Sequence, residues 1–123
     1  LIETDPSAAL KEAAQCVEIT GRLFKEAPAN LRYRRAHSNC RAEYAKVQLA
    51  AGQPAQAIAG LTESLAEHEQ MLKADPDHLG FGEAVLSANM YLCNAYTGLK
   101  QYARAASHCE QAVASAEKYM AQR

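Results

Sequence analysis

The sequence has few of the residues that interrupt helices or favour strands. Only four prolines and six glycines occur among its 123 residues, and the β-branched residues are sparse and scattered. Alanine, the best helix former, supplies much of the 49% hydrophobic fraction. This balance predicts an all-α fold. The runs without a charged residue are short and contain Gln, Gly and Pro, so the sequence offers no candidate transmembrane helix.

A strong net charge is also missing. The 13 lysines and arginines nearly balance the 14 aspartates and glutamates, so the overall charge indicates neither a nucleic-acid nor a membrane surface. The charges are nevertheless unevenly distributed along the chain. Residues 22–46 contain seven basic residues against two acidic ones, whereas residues 47–99 contain one basic residue against six acidic ones. A basic segment therefore precedes an acidic one.

The four cysteines form no Cys-x-x-Cys pair, and their spacing resembles neither a zinc site nor a disulfide framework. Each of them falls on an apolar helical stripe: Cys16, Cys40, Cys93 and Cys109. We therefore expect small buried hydrophobic side chains with free thiols. A reducing cytoplasm is the compartment that fits this expectation.

No constellation of catalytic or metal-binding residues is evident. The four histidines, His37, His68, His78 and His108, share no metal-ligand spacing. Residues 67–69 are predicted to be a charged helix face, and Cys109 is expected to face inward while His108 faces out, which separates them as a nucleophile and base. Gly80 and Gly82 do not form a phosphate-binding loop. We expect a protein that is not an enzyme and that binds no metal or cofactor.

The sequence repeats itself with a period of 48 residues, which keeps prolines and core-type residues in one register. This register predicts five helices at about 6–26, 31–51, 54–74, 82–99 and 102–122, forming a single domain over residues 1–123. Asp5 and Asn30 are predicted N-caps, and Gly52 is predicted to close the second helix. Because the chain begins with Leu1, we expect it to be a piece of a longer protein.

Residues around the last predicted turn carry a distinctive pattern of small and large side chains: Leu92, Cys93, Tyr96, Ala105, Cys109 and Ala112. An earlier copy matches it in kind at Tyr44, Ala45, Gly52, Ala57, Leu61 and Ser64. This pattern resembles the tetratricopeptide repeat family. Asn89 and Arg41 stand where that family has a tryptophan, and Gln48 stands where it has a tyrosine.

The resemblance implies a right-handed helical-repeat solenoid of about two and a half antiparallel hairpins that acts as a protein-binding scaffold. The 48-residue period exceeds the family's usual 34 residues, so the helices are expected to be longer than usual. Long-helix repeats of this kind, with Asp-Pro loops, are similar to arrays attached to bacterial signalling proteins.

In such solenoids the first helix of each hairpin lines a concave groove that holds a peptide or a partner domain. The groove residues expected here lie on the second and fourth helices: Arg32, Arg35, Asn39, Lys46, Glu83, Ser87, Met90 and Asn94. The Lys/Asn carboxylate clamp of chaperone-binding members is absent, because Ala42 precedes Lys46 by one turn and Met90 precedes Asn94. The alternative is a solvated helix face on which Arg35 pairs with Glu83.

Three functional hypotheses remain open at this point: a module that binds a possibly acidic protein or peptide, a self-association module, and a nucleic-acid binder built on helical repeats. The absence of stacking aromatics among the basic residues counts against the third. The first helix supports the second hypothesis, because it carries two apolar stripes: Ala9, Ala13, Cys16 and Leu23 on one, and Leu10, Val17 and Phe24 on the other. The far side of the fifth helix is expected to be a polar cap, comprising Arg104, Ser107, His108, Gln111, Ser115 and Lys118. A homodimer through the first helix would follow from this asymmetry.

Overall fold

A computed structural model describes residues 5–121 of the chain. This part of the chain contains five α-helices and no strand: α1 (Pro6–Glu26), α2 (Leu31–Ala50), α3 (Pro54–Ala74), α4 (Leu79–Gly98) and α5 (Tyr102–Ala121). The predicted all-α class and the number of helices are confirmed. The last residue predicted for the fifth helix, Gln122, lies outside the described range.

Local side-chain chemistry fixes the helix ends that the sequence predicted. The Asp5 carboxylate accepts a hydrogen bond of 3.0 Å from the Ser7 amide, which caps α1. The Asn30 side chain accepts one of 3.1 Å from the Tyr33 amide and caps α2. Gly52 has a φ of +80° after the end of α2, a left-handed conformation that favours glycine. The capping predictions are therefore confirmed.

Helix α4 begins three residues earlier than predicted. The His78 Nδ1 atom accepts a 3.1 Å hydrogen bond from the Phe81 amide, and the two rings stack with centroids 3.7 Å apart. This cap starts the helix at Leu79 and draws Gly80 and Gly82 into its first turns. The sequence predicted a start at Gly82, but the histidine cap outweighs the weak helix propensity of the two glycines.

The helices stack in chain order. Every consecutive pair packs together, and α2 and α4 also contact each other, whereas α1 and α3, like α3 and α5, do not. Because short loops connect the neighbours, consecutive helices run antiparallel, and α2 lies beside α4 in the same direction. The two terminal helices, α1 and α5, each have one side that no other described helix covers.

The core lies where α2, α3 and α4 meet. Ala45, Ala57, Leu61 and Leu92 are fully buried and form its centre. Small residues allow close approach there: a Cβ atom added to Gly60 would lie 3.3 Å from the Ala45 Cβ. Most residues of the repeat pattern are buried, including Ser64, Cys93, Ala105 and Ala112. The helical register predicted from the repeat therefore places these residues in the core.

The prediction of free thiols is wrong, and the predicted burial is confirmed only for Cys40 and Cys93. Two disulfides join Cys16 to Cys40 and Cys93 to Cys109, with Cα–Cα distances of 5.6 and 5.3 Å. These distances lie within the usual range for disulfides. Cys40 and Cys93 are buried, while Cys16 and Cys109 lie on the exposed terminal helices. Each disulfide therefore attaches a terminal helix, α1 or α5, to its neighbour.

The expected difference between the two terminal helices is only partly present. Helix α1 has no buried residue and exposes Ile19 and Leu23, in keeping with an uncovered apolar side. Helix α5, however, is not a polar cap, because Val113 is 59% and Met120 is 64% exposed. The side of α5 that was expected to face solvent turns toward α4 at His108, which contacts Asn89 and Tyr96.

Candidate functional site

A central groove runs between α2 and α4, with α3 beneath it, and encloses a cavity of about 170 Å³. Its lining comprises Asn39, Ala42, Glu43 and Lys46 from α2, Leu61, Ser64 and His68 from α3, and Ala84, Ser87 and Ala88 from α4. The side chains succeed one another at steps of three and four, so each helix presents one face to the groove. Small residues on both walls keep the groove open.

A second, larger cavity of about 420 Å³ lies at the N-terminal ends of α2 and α4, and we call it the Phe81 cavity. It is lined by Leu31, Arg34 and Arg35, by Gln70, Met71, Ala74 and Asp75, and by Phe81. Arg35 is one helical turn from Asn39, and Phe81 is three residues from Ala84. The Phe81 cavity and the central groove therefore follow one another along the same three helices, and together we call them the trough.

Two cation–π contacts connect the walls of the trough. The Arg35 guanidinium carbon lies 5.1 Å from the centroid of the Phe81 ring, and the Lys46 Nζ atom lies 5.1 Å from that of Tyr91. The Lys46 ammonium group is also 3.8 Å from the Glu43 carboxylate. Cationic groups of α2 thus lean on aromatic rings of α4 at both ends of the central groove.

The structure separates the eight predicted groove residues. Asn39, Lys46 and Ser87 line the central groove, and Arg35 lines the Phe81 cavity. Arg32 is exposed and lines neither of them. The expected pair between Arg35 and Glu83 does not form in the described chain, where Arg35 lies over Phe81 instead.

The structure places three of the predicted residues of α4 outside the trough. Met90 and Asn94 line a different cavity of about 330 Å³ between α4 and α5. Glu83 also faces α5, because its carboxylate accepts a 2.6 Å hydrogen bond from the Tyr119 hydroxyl. The face of α4 that meets the trough passes instead through Ala84, Ser87, Ala88 and Tyr91, so the predicted face was displaced around the helix.

The floor of the central groove contains a histidine that was predicted to lie on a charged outer face. His68 is 4% exposed, and its Nδ1 atom lies 2.8 Å from the Ser64 carbonyl oxygen, to which it donates. The other ring nitrogen, Nε2, has no hydrogen-bond partner between residues 5 and 121. Of the three residues predicted to form the charged face, only Glu69 is exposed. Glu67 is half-buried and pairs with Arg41, and His68 is buried.

Arg41 connects α2 to α3 through two carboxylates. Its Nη1 atom lies 2.8 Å from the Glu63 carboxylate, and its Nη2 atom bonds to Glu67. The arginine side chain is 21% exposed, and its buried Nε atom has no partner among the described residues. An ion-pair network therefore joins the two helices at this position.

Two histidines at the ends of the stack have lowered pKa values. Burial lowers the pKa of His37, and the charge of Arg41 lowers it further. Its Nδ1 atom lies 3.1 Å from the Thr20 hydroxyl of α1. Burial also lowers the pKa of His108, which donates from Nδ1 to the Asn89 side-chain oxygen at 2.9 Å. Both rings join a terminal helix to its neighbour.

Between residues 5 and 121, no group of three His, Cys, Asp or Glu side chains is placed to hold a metal ion. In the same range, no helix combines the length and the apolar character needed to cross a membrane. The lining of the trough combines hydroxyl, amide, imidazole, cationic and carboxylate groups with apolar side chains.

Comparison with known proteins gives no match: no family model, no curated protein and no solved structure matches the chain. The resemblance to tetratricopeptide repeats therefore stays a prediction from the sequence.

Proposed function

We propose that the chain is a tetratricopeptide-like scaffold that binds an extended segment of another protein in the trough. The observation that carries this proposal is the unbroken succession of lining residues on three helices, from Leu31 to Lys46 along α2. At a rise of about 1.5 Å per residue this stretch is about 22 Å long. An extended segment of about seven residues has the same length.

The chemistry of the trough suits a peptide backbone. Asn39 and Ser87 offer side-chain donors and acceptors on opposite walls, and His68 offers its unpartnered Nε2 atom on the floor. A peptide in an extended conformation has unpaired backbone N–H and C=O groups that need such partners. Lys46 and Arg35 add positive charge, which favours acidic residues in the bound segment.

Self-association is a second candidate function, and the exposed apolar residues of α1 favour it. Ile19 is 51% and Leu23 is 37% exposed on a helix that has no buried residue. A second copy packed about a two-fold axis would cover both. Light scattering over a concentration series distinguishes this candidate from a monomeric scaffold.

Nucleic-acid binding has less support. The basic segment that suggested it is partly neutralised within the fold, because Arg41 pairs with Glu63 and Glu67. Arg34 donates to Gln70, and Arg35 lies over Phe81. These arginines do not form a continuous basic surface of the kind that follows a phosphate backbone.

We also propose that the protein works in an oxidising compartment rather than in the cytoplasm. The cytoplasmic expectation depended on free thiols, and all four cysteines are paired. Stable disulfides are typical of secreted and periplasmic proteins and rare in a reducing cytosol.

The binding proposal is tested by reversing charge in the trough. The double variant Arg35→Glu/Lys46→Glu is expected to lose affinity for the natural partner and to remain folded, because it removes only two cation–π contacts, worth about 1–2 kcal/mol together. The control Lys11→Glu/Lys25→Glu makes the same change in net charge on α1. If both double variants bind the natural partner equally well, the trough is not the binding site.

A further inference from the structure

The Phe81 cavity combines apolar walls with cationic groups that have no carboxylate partner. Leu31, Met71, Ala74 and Phe81 supply the apolar lining, and Leu31 is 69% exposed at the edge. The volume of the cavity, about 420 Å³, is within the range of small ligand pockets. The exposed leucine extends the apolar lining to the edge of the cavity.

The two arginines of this cavity are not engaged in ion pairs. The Arg34 Nη2 atom donates a 3.1 Å hydrogen bond to the neutral Gln70 oxygen, and Arg35 lies over Phe81. Neither guanidinium has a carboxylate within 4.0 Å in the described chain, whereas Arg41 has two. Asp75 is the one acidic residue on the cavity wall, so the cavity keeps an excess of positive charge.

We propose that the Phe81 cavity holds a large apolar side chain of the bound segment that is flanked by acidic residues. The apolar side chain would fill the space between Met71, Ala74 and Phe81. The flanking carboxylates would pair with Arg34 and Arg35 at the edge, where a planar guanidinium binds a carboxylate through two parallel hydrogen bonds. This inference rests on the proposed peptide-binding function and names the residue chemistry that anchors the segment at one end of the trough.

The anchor is tested with three capped tripeptides and nuclear magnetic resonance of the isotope-labelled chain. Titration with acetyl-Glu-Leu-Glu-amide should change the chemical shifts of the backbone amide groups of Leu31, Ala74 and Phe81 until the binding is saturated. Acetyl-Gln-Leu-Gln-amide should bind roughly threefold to tenfold more weakly, as for the loss of two partly exposed ion pairs. Acetyl-Glu-Ala-Glu-amide should bind about tenfold more weakly, because it buries less apolar area.

Two variants make the test specific to the cavity. Ala74→Trp fills the cavity and should abolish the shifts caused by the Glu-Leu-Glu probe, whereas Ala59→Trp, on an exposed part of α3 outside the trough, should leave them unchanged. Arg35→Gln should reduce the difference between the Glu-Leu-Glu and Gln-Leu-Gln probes. Equal affinity for all three probes, or unchanged binding by Ala74→Trp, would overturn the inference. The peptide titrations test only the anchor, and the charge-reversal variants test partner binding by the whole trough. The anchor proposal can therefore be rejected while the peptide-binding proposal stands.

Discussion

The Arg35 guanidinium carbon lies 5.1 Å from the centroid of the Phe81 ring, so that a cation of α2 contacts an aromatic ring of α4 across the trough. Lys46 and Tyr91 repeat this relationship at the other end of the central groove. A cation–π contact at an exposed site contributes about 0.5–1 kcal/mol. These contacts therefore hold the two walls together weakly, and a bound segment is able to compete for the cations.

The Arg35–Phe81 contact should appear as a small coupling energy. In a double-mutant cycle with Arg35→Gln and Phe81→Leu, urea unfolding should give a coupling of about 0.5–1 kcal/mol. The Leu variant keeps an apolar side chain in the cavity and removes the ring face. Strictly additive effects of the two substitutions would show that the two groups do not interact in solution.

Removing either disulfide should destabilise the fold substantially. The paired cysteines are separated by 24 and 16 residues, and cross-links that close loops of about this length contribute about 3 kcal/mol in the chain-entropy model. The double variants Cys16→Ser/Cys40→Ser and Cys93→Ser/Cys109→Ser should each lower the free energy of unfolding by about 2–4 kcal/mol. Chemical denaturation without reductant measures both losses.

The disulfides can also be checked directly. Alkylation of the unreduced, denatured wild-type chain should add no mass, and alkylation after reduction should modify all four cysteines. Reaction of all four cysteines without a reductant, in protein isolated from its natural source with thiols trapped, would contradict both the pairing and the proposed oxidising compartment.

Arg41 should contribute more to stability than the other arginines of α2. Arg41→Met leaves two carboxylates without their cation and should cost about 1–2 kcal/mol, whereas exposed Arg32→Met should change stability by less than about 0.5 kcal/mol. Glu67→Gln should cost more than Glu63→Gln, because the Glu67 side chain is 25% exposed and that of Glu63 is 58% exposed. The reverse order for the two glutamates, measured by urea unfolding, would contradict this ion-pair geometry.

Acidification should weaken the attachment of the terminal helices. The pKa values of His37 and His108 are lowered from 6.5 in the fold, so the unfolded chain binds more protons just below that pH. Their contribution to stability is present above about pH 6.5 and is lost as the pH falls through the folded-state pKa values. The double variant His37→Gln/His108→Gln should therefore lose less stability than the wild type between about pH 7.5 and about pH 5.5. Parallel stability curves for the two proteins would contradict this prediction.

Helix boundaries could be read from the sequence because they depend on local chemistry. Asp5 and Asn30 cap helices through bonds to amides two or three residues away, and Gly52 adopts the left-handed conformation that ends α2. The register of the core was equally accessible, since burial of Ala45, Ala57 and Leu61 follows from helical periodicity and the repeat. The start of α4 was missed because the histidine cap competes with two glycines that suggest a loop.

The cysteine pairing could have been found from the helix boundaries. Cys16 and Cys40 lie at nearly equal distances on either side of the loop between α1 and α2, and Cys93 and Cys109 do the same around the turn between α4 and α5. In an antiparallel hairpin, residues equally distant from the turn lie opposite each other. Considering each cysteine alone, against known framework spacings, concealed this symmetry.

The trough residues were harder to predict because they depend on how each helix is rotated about its axis. A shift of one residue turns a helical side chain by about 100°, which is enough to move Met90 and Asn94 from the trough to the α5 side. The burial of His68 likewise depends on how α2 and α4 cover α3, and the periodicity of α3 alone does not determine it.

Site-specific photo-crosslinking tests the trough most directly. A benzophenone amino acid in place of Asn39, which is exposed and lines the central groove, should cross-link the chain to a partner polypeptide in the cells that produce it. The same group in place of Ala59, on the exposed side of α3, should give no such adduct, and Arg35→Glu/Lys46→Glu should remove the adduct formed from position 39. Adducts formed from position 59 but not from position 39, or adducts only between two copies of the chain, would contradict partner binding in the trough.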